Sequence, residues 1–478
     1  TKTLEYFKEI CKIPHGSFNE KQLSDYLRDW GKSLGLKTIQ DSHNNVVICK
    51  AASEGKELAD AVILQAHIDM VCEKAPDYVH DFKKDTIPWQ IDGDIMSTGG
   101  KTTLGADDGI GAAIIMALLE SKEAVHPRIE AVFTTAEEED LSGALSIDGA
   151  LFTTSRMINI DHGVDSEVVL GSCGGTGAEI VFDVEREEAP AENIFRNIVL
   201  TGLLGGHSGE NINSGHGNAI VLLNRLLMRL LPLGAHICDF KGGTFRTAIP
   251  REATVTLSMP KDSLRAFYKI LQETTKELKI EYAAVSSHVD LEEEALSTVC
   301  CQLTEQSTAK IVRALALSPC GIAEMSNTMP NVVESSDNLG ELHLGENKCR
   351  IVYEIRATYP STQRYITDKL CMLADTLGAS FETYSAYPAW SYNPGSEMKR
   401  LSNEIYRECF GEEQKTVVLH AGLECGCFYA AIPGLDALSI GPNMWNLHSP
   451  SERMSISSVN KIIKFISAFL EKLAENKK

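Results

Sequence analysis

Short apolar runs that break off into acids and histidines constrain this chain most. "NVVICKA", "AVILQAHIDMV", "IEAVFTT" and "RMINID" read as strands, several too continuously apolar to leave a face in water, and "LSDYLRDWGKSLGL" and "GIGAAIIMALLES" read as helices among them. Strands alternating with helices call for an α/β layered domain, in which ligands sit beyond the carboxyl ends of the strands. Those ends carry chemistry. His67 and Asp69 lie two apart in "LQAHIDMV", so both side chains share one face of extended backbone. Glu137 and Glu138 follow a strand in "AVFTTAEEEDLSGA", Asp161 and His162 follow another in "INIDHG", and Asp107 and Asp108 stand at the mouth of a helix in "GADDGIG".

Taken singly, each has an ordinary explanation. An acid run is usually a solvated loop, an HxD pair can be buried and satisfied, and Asp108 in front of "GIGAAII" reads as a helix cap. Their joint appearance at successive strand and helix ends is what points to a bound cation, and histidine with carboxylates suits zinc and related divalent ions. Glu139 and Asp140 read as the solvated remainder of the run.

A chain of 478 residues exceeds what one hydrophobic core usually spans, so two domains are expected. The pattern changes near Gly174, where hydrophilic stretches such as "VEREEAPAEN" give way to a helix "GNAIVLLNRLLMRLL" and strands "TVTLSM" and "RIVYEIRATY". It reverts after Tyr387 with "KTVVLHAG", "LDALSIGP" and the helix "SVNKIIKFISAFLEKLAE". Residues 174–387 therefore read as an α+β domain inserted into an α/β domain made of residues 1–173 and 388–478. Two approximate rounds of strand, helix and strand run through the insert without a residue-level repeat.

The formal charge of -21 leaves no basic face for nucleic acid. No run of about 18 apolar residues is present to span a membrane, and the N-terminal "TKTLEYFKEICKIPHG" has the alternation of an amphipathic helix, not a secretory signal. Thirteen cysteines without framework spacing fit reduced thiols in a cytoplasm. Cys300–Cys301 and Cys425–Cys427 lack a second pair at zinc-finger spacing, so small buried hydrophobes is the better account.

"HIDMV", "GADDGIG", "TTAEEEDLSGA", "NIDHG", "GGHSG" and "NLHSP", in this order, resemble the M20 family of dinuclear zinc peptidases, nearest its branch of Xaa-His dipeptidases. The resemblance implies a layered zinc-peptidase catalytic domain with an inserted lid and dimerisation domain. It implies two divalent metal ions, zinc with manganese or cobalt as substitutes, held by His67 and Asp161 on one side and by Glu138 and His448 on the other, with Asp107 bridging. Glu137 takes the general-base role and Asp69 orients His67. Both roles make chemical sense: a free carboxylate beside the attacking water can accept its proton, and a metal-bound imidazole needs a partner on its other nitrogen.

In the insert, the same resemblance makes His207 a group that steadies the oxyanion of the attacked carbonyl, often in the active site of a partner subunit, which implies a homodimer. A dipeptide's terminal carboxylate suits a guanidinium. Arg356 in "YEIRATY" is similar in context to the family's lid arginine, and Arg246 in "GGTFRTAIP" competes with it. His420 and Glu424 are expected to line the metal pocket, and Gly441 to Asn443 to offer backbone contacts to substrate. The implied activity is hydrolysis of dipeptides. Alternatives are an M20-type deacylase of N-acyl amino acids, an aminopeptidase, and a non-catalytic metal-binding homologue.

Overall fold

The computed structural model describes residues 1–297 and 301–475. The chain divides into two compact units: Thr1–Ser172 with Ala389–Val418 and Leu423–Lys478, and Cys173–Pro388 with Leu419–Gly422. The first is a layered α/β unit and the second an inserted α+β unit. The short return at Leu419–Gly422 has no signature in the sequence, and it carries His420 into the second unit. Cys300 lies outside the described residues.

The first unit holds an eight-stranded sheet in the order Lys37–Gln40, Val46–Lys50, Ile129–Thr134, Val62–His67, Arg156–Asn159, Asp436–Ser439, Glu167–Ser172, Lys415–Leu419. The middle of it is parallel: Val62–His67 runs alongside both Ile129–Thr134 and Arg156–Asn159, and Asp436–Ser439 continues the parallel run. Every residue of Val62–His67 and Ile129–Thr134 is buried, as continuous β-branched and apolar sequence dictates for strands covered on both faces. Parallel pairing forces the carboxyl ends of these strands to a common edge. His67, the Thr134–Glu138 loop, the Asn159–Asp161 exit and the segment beyond Ser439 all leave from that edge.

The covering helices bury one stripe each. Lys2–Ile10 buries Thr3, Tyr6, Phe7 and Ile10, and Ile456–Ala474 buries Val459, Ile462, Phe465, Ile466, Phe469, Leu470 and Leu473, the spacing of a 3.6-residue period. The helix Ala106–Glu120 is different, being buried nearly all round. Gly111 allows this close packing, because a Cβ there would sit 2.3 Å from the Ile160 carbonyl oxygen. Its first residues are not helical: Asp107 has φ -83° and ψ 105°, and regular turns begin at Gly109. Asp108 Oδ1 accepts the Gly111 N–H at 3.2 Å, so Asp108 is the cap of that helix.

The second unit is built on a nine-stranded sheet, antiparallel throughout the pairs described. Its order repeats. From the middle outward, one half runs His236–Gly242, Ala253–Met259, Ile194–Thr201, Asp290–Leu296, and the other Val333–Leu344, Lys348–Ala357, Gly174–Asp183, Ser380–Tyr387, with Gly321–Met325 pairing on Val333–Leu344. Each half has a helix between its third and fourth strands in sequence: Leu264–Glu281 links Ala253–Met259 to Asp290–Leu296, and Pro360–Leu377 links Lys348–Ala357 to Ser380–Tyr387. The halves join through Lys241 opposite His343 and Gly242 opposite Leu342. The two rounds legible in the sequence are thus a repeated topology, with one half inserted after the first strand of the other. The helix Ala219–Leu230 packs on this sheet through Ala219, Ile220, Leu223, Leu226, Leu227 and Leu230, and Asn218 caps it by accepting the N–H groups of Ile220 and Val221.

Candidate active site

Asp107 stands at the centre of the strand-end cluster. Its Oδ1 lies 3.1 Å from His67 Nε2 and its Oδ2 lies 3.2 Å from His448 Nε2. On the His67 side, Asp161 Oδ1 is 3.7 Å from the same Nε2, and Glu137 Oε2 is 3.9 Å from it. On the His448 side, Glu138 Oε1 is 3.0 Å from Nε2. The residues singled out from sequence as ligands and base, His67, Asp107, Glu137, Glu138, Asp161 and His448, therefore meet in one place on the first unit. His162 does not join them; its Nε2 faces Glu167 at 3.0 Å.

Asp69 organises the approach. His67 Nδ1 donates to the Asp69 carbonyl oxygen at 3.0 Å and lies 3.4 Å from Oδ1 of the same residue, which leaves Nε2 to face the cluster. The Asp69 carboxylate also accepts the N–H groups of Glu137 (2.9 Å) and Glu138 (3.1 Å) and the Ser17 hydroxyl (2.8 Å). One buried carboxylate thus fixes both the imidazole and the start of the acid run. The turn into that run is tight: Ala136 has φ 55°, a left-handed conformation unusual for alanine, and its N–H is held by Glu20 Oε1 at 3.0 Å.

The electrostatics fit a cation. Burial pushes the carboxyls of Glu137 and Asp161 well above the usual carboxylate range, and neighbouring acids push them further. Burial opposes a charge on His67, but Asp107 and Asp69 outweigh it and hold the imidazole well above its ordinary value. His448, hydrogen-bonded to Asp107 and beside Glu138, is pushed up to about 11. The acids and imidazoles thus compensate one another through protons, a task divalent ions perform for the same donors. Glu138 Oε1 is buried and is met by His448 Nε2 at 3.0 Å, and His67, Asp107 and Glu138 each place a ligand atom within 4.8 Å of the others. Converging carboxylate oxygens and imidazole nitrogens, a mixed donor set, are what a zinc-class ion takes up.

The insert assembles a second cluster. Arg356, buried on the strand Lys348–Ala357, donates to the Tyr387 hydroxyl at 2.6 Å and to Ser208 Oγ at 3.3 Å, and its Nη2 lies 3.4 Å from His207 Nε2. The N–H groups of Gly209 and Glu210 point at His207 Nδ1, both at 3.3 Å, which assigns the ring proton to Nε2. Two donors, Nε2–H and a guanidinium, then stand side by side, an arrangement that suits an anionic oxygen. Arg246 is instead committed to Glu354 at 2.7 Å and to the ring of Tyr384. His420, also in this unit, bonds Ser336 Oγ at 2.6 Å, and burial pushes its pKa down to about 3, helped by Arg356.

Residues 63–472 match Peptidase family M20/M25/M40. The cytosol non-specific dipeptidase of Escherichia coli K12 is 35% identical over 474 residues, covering 98% of this chain and 97% of that protein. The chain belongs to the M20 family. A crystal structure of aminoacylhistidine dipeptidase from Vibrio alginolyticus superposes with a TM-score of 0.90 at 35% identity, covering 98% of this chain and 96% of that one. A tripeptidase from Staphylococcus aureus shares the fold at a TM-score of 0.61 and 17% identity, over 99% and 98% of the two chains.

Within this M20 chain, further buried polar groups brace the segments around the cluster. Asn443 is a brace: its side chain accepts the Asp165 N–H and donates to Asp165 Oδ2, its N–H goes to Ser458 Oγ, and its carbonyl accepts the Ser455 N–H. Glu424 accepts from Gln65 Nε2 (2.5 Å) and Thr134 Oγ1 (2.8 Å) in the first unit, and burial pushes it up to about 7. Glu452 was not legible as a site residue. It is buried, and its two oxygens accept the N–H groups of Leu104 (2.6 Å), Gly105 (3.0 Å), Ala106 (2.8 Å) and Asp107 (3.4 Å). Its proximity in sequence to His448 was the available signal. Cys425 and Cys427 are buried with thiols pushed up by burial, as inert small hydrophobes should be.

Proposed function

We propose that this chain is a dinuclear-metal dipeptidase, cleaving Xaa-His and other dipeptides. The observation that carries the reading is the division of Asp107, one oxygen toward His67 with Asp161 nearby and the other toward His448 with Glu138. His67 and Asp161 would hold one ion, His448 and Glu138 the other, and Asp107 both. When bound, two divalent ions there would polarise the scissile carbonyl and lower the pKa of a shared water.

The remaining work falls to the chain's own side chains. Glu137 lies among the ligands without being needed as one; it takes a proton from the attacking water and returns it to the leaving amine. His207 donates its Nε2 proton to the oxygen that gains charge as the carbonyl is attacked, and Arg356 receives the terminal carboxylate. The ion is zinc, with manganese and cobalt as functional replacements. The names of the E. coli and Vibrio relatives support dipeptides as substrates. Free cysteines among the described residues support a reducing, cytoplasmic setting, and no described helix is long and apolar enough to cross a membrane.

The reading includes a homodimer formed through the insert, where Ile280, 68% exposed, and Leu291 of the outer strand Asp290–Leu296 line one open apolar hollow. The test is hydrolysis of Ala-His by chelated protein before and after restoring zinc, with Ala-Ala-His and N-acetyl-alanine alongside. Zinc-dependent cleavage of the dipeptide alone supports the assignment. Equal cleavage of the tripeptide or of the acetylated amino acid replaces it by an aminopeptidase or a deacylase. Sedimentation of the active species decides the dimer.

A further inference from the structure

On the second unit, the strand Val333–Leu344 presents alternating residues to opposite sides of the sheet. Ser336 faces His420 and pairs in register with Arg356. Its neighbours Ser335 and Asp337 line a separate cavity of about 250 Å³ on the other side. Asp337 is 1% exposed, and neither of its carboxylate oxygens has a hydrogen-bond partner; the hydroxyl of buried Ser335 has none either. A buried carboxylate with both oxygens idle is expensive, and burial pushes its pKa far up.

The same cavity is lined by Lys369, whose ammonium lies 4.6 Å from the ring centroid of Tyr365 and, among the described residues, makes no ion pair. Lys369 acts on Asp337 through its charge, but no salt bridge joins them. Ile322, Ile366 and Tyr365 supply apolar wall. A cavity this size falls below the roughly 300–1,000 Å³ of sites for drug-sized ligands and suits a small metabolite. The buried carboxyl of Asp337 and the ammonium of Lys369 line this cavity without meeting, with the exposed Glu324 also at its wall, and they leave a gap that a molecule carrying both charges would close.

We infer that this cavity binds a free apolar amino acid, its ammonium on Asp337 and Ser335, its carboxylate toward Lys369, and its side chain against Ile322 and Ile366. An α-ammonium offers three N–H donors for the idle carboxylate oxygens and hydroxyl, and its attached carboxylate answers the Lys369 ammonium, which a bare metal cation in the same cavity would repel. The products of dipeptide hydrolysis belong to this class, a link that rests on the function proposed above; the binding itself does not.

The experiment is calorimetric titration of the zinc-loaded full chain with L-valine, with isobutylamine and isovalerate as probes lacking one charge each. The variants are Asp337→Asn, Lys369→Met and, to remove product binding at the candidate active site, Arg356→Ala. The expected result is a binding event that survives Arg356→Ala and weakens at least tenfold in Asp337→Asn and in Lys369→Met, with each half-charged probe at least tenfold weaker than valine. Absence of binding to the parent, or binding lost with Arg356→Ala and kept by Asp337→Asn, overturns the proposal, and isobutylamine binding as tightly as valine overturns the role of Lys369. Asp337→Asn keeps the size of the side chain, and its hydrolysis of Ala-His, expected at the parent's rate, reports folding. Loss of dipeptide cleavage by the parent would defeat the proposed activity and leave the cavity's result standing.

Discussion

Consecutive side chains leave the backbone in different directions, which lets Glu137 and Glu138 take the separate roles proposed for them, and Asp69 clamps both their N–H groups. Glu137→Gln keeps the size of the side chain and removes a base but no ligand, so kcat should fall by about 10²–10⁴-fold with metal content unchanged. Parallel loss of metal and activity would make Glu137 a ligand. Asp107→Ala should lose most bound metal, since that carboxylate serves both sides of the cluster; two ions retained per chain would refute the assigned geometry. His420 gives a pH prediction. Its pKa falls from an ordinary 6.5 to about 3 in the folded state, so between those values the unfolded chain binds a proton that the native one does not. Stability should therefore fall as pH drops below 6.5, by roughly 1.4 kcal/mol per pH unit from this group alone. His420→Gln should remove that slope in urea unfolding followed from pH 6.5 to 4; equal slopes in both proteins would count against the buried, uncharged imidazole.

At the scale of elements, the loop that delivers Asp107 is held from outside. Glu452 receives four successive N–H groups before the regular helix begins. Glu452→Gln turns one acceptor into a donor facing donors, and should cost about 1–3 kcal/mol in urea unfolding and weaken metal binding as Asp107 shifts. Loss of stability with metal affinity unchanged would show that the clasp supports the fold alone. The strands and helices of the first unit were legible because an apolar run or a 3.6-residue stripe is a local property. Their carboxyl ends pointed to the cluster for the same reason: parallel pairing turns sequence order into spatial convergence. Glu452, Glu20 and the Asn443 brace were not legible, because what defines each is a partner far away in the chain, such as Glu20 on Ala136. Nor could sequence choose between Arg246 and Arg356. Both stand in the insert near an aromatic residue in the sequence, and only the fold puts Arg246 in a turn committed to Glu354 and Arg356 on a strand next to His207.

For the whole molecule, the two units have separate hydrophobic cores, and every candidate metal ligand belongs to the first. The chain's four tryptophans, Trp30, Trp89, Trp390 and Trp445, also fall in the first unit. Trp30 packs edge-on against Tyr6 at 5.4 Å and Trp390 is buried, so their emission follows that unit's core. Tryptophan fluorescence therefore reports unfolding of the metal-binding unit, whereas far-UV circular dichroism reports both. An ion that binds only the native state adds stability as RT ln(1 + [L]/Kd), about 2.7 kcal/mol at a hundredfold excess over Kd. Zinc should thus move the fluorescence midpoint in urea upward by that order, and chelation should bring it back. The part of the dichroism signal that belongs to the insert should keep its midpoint in both conditions, so that the two probes coincide or separate according to metal alone. A fluorescence midpoint indifferent to zinc and to chelator would mean that the carboxylates around Asp107 are compensated by protons and not by metal, and the proposed chemistry would lose its cofactor.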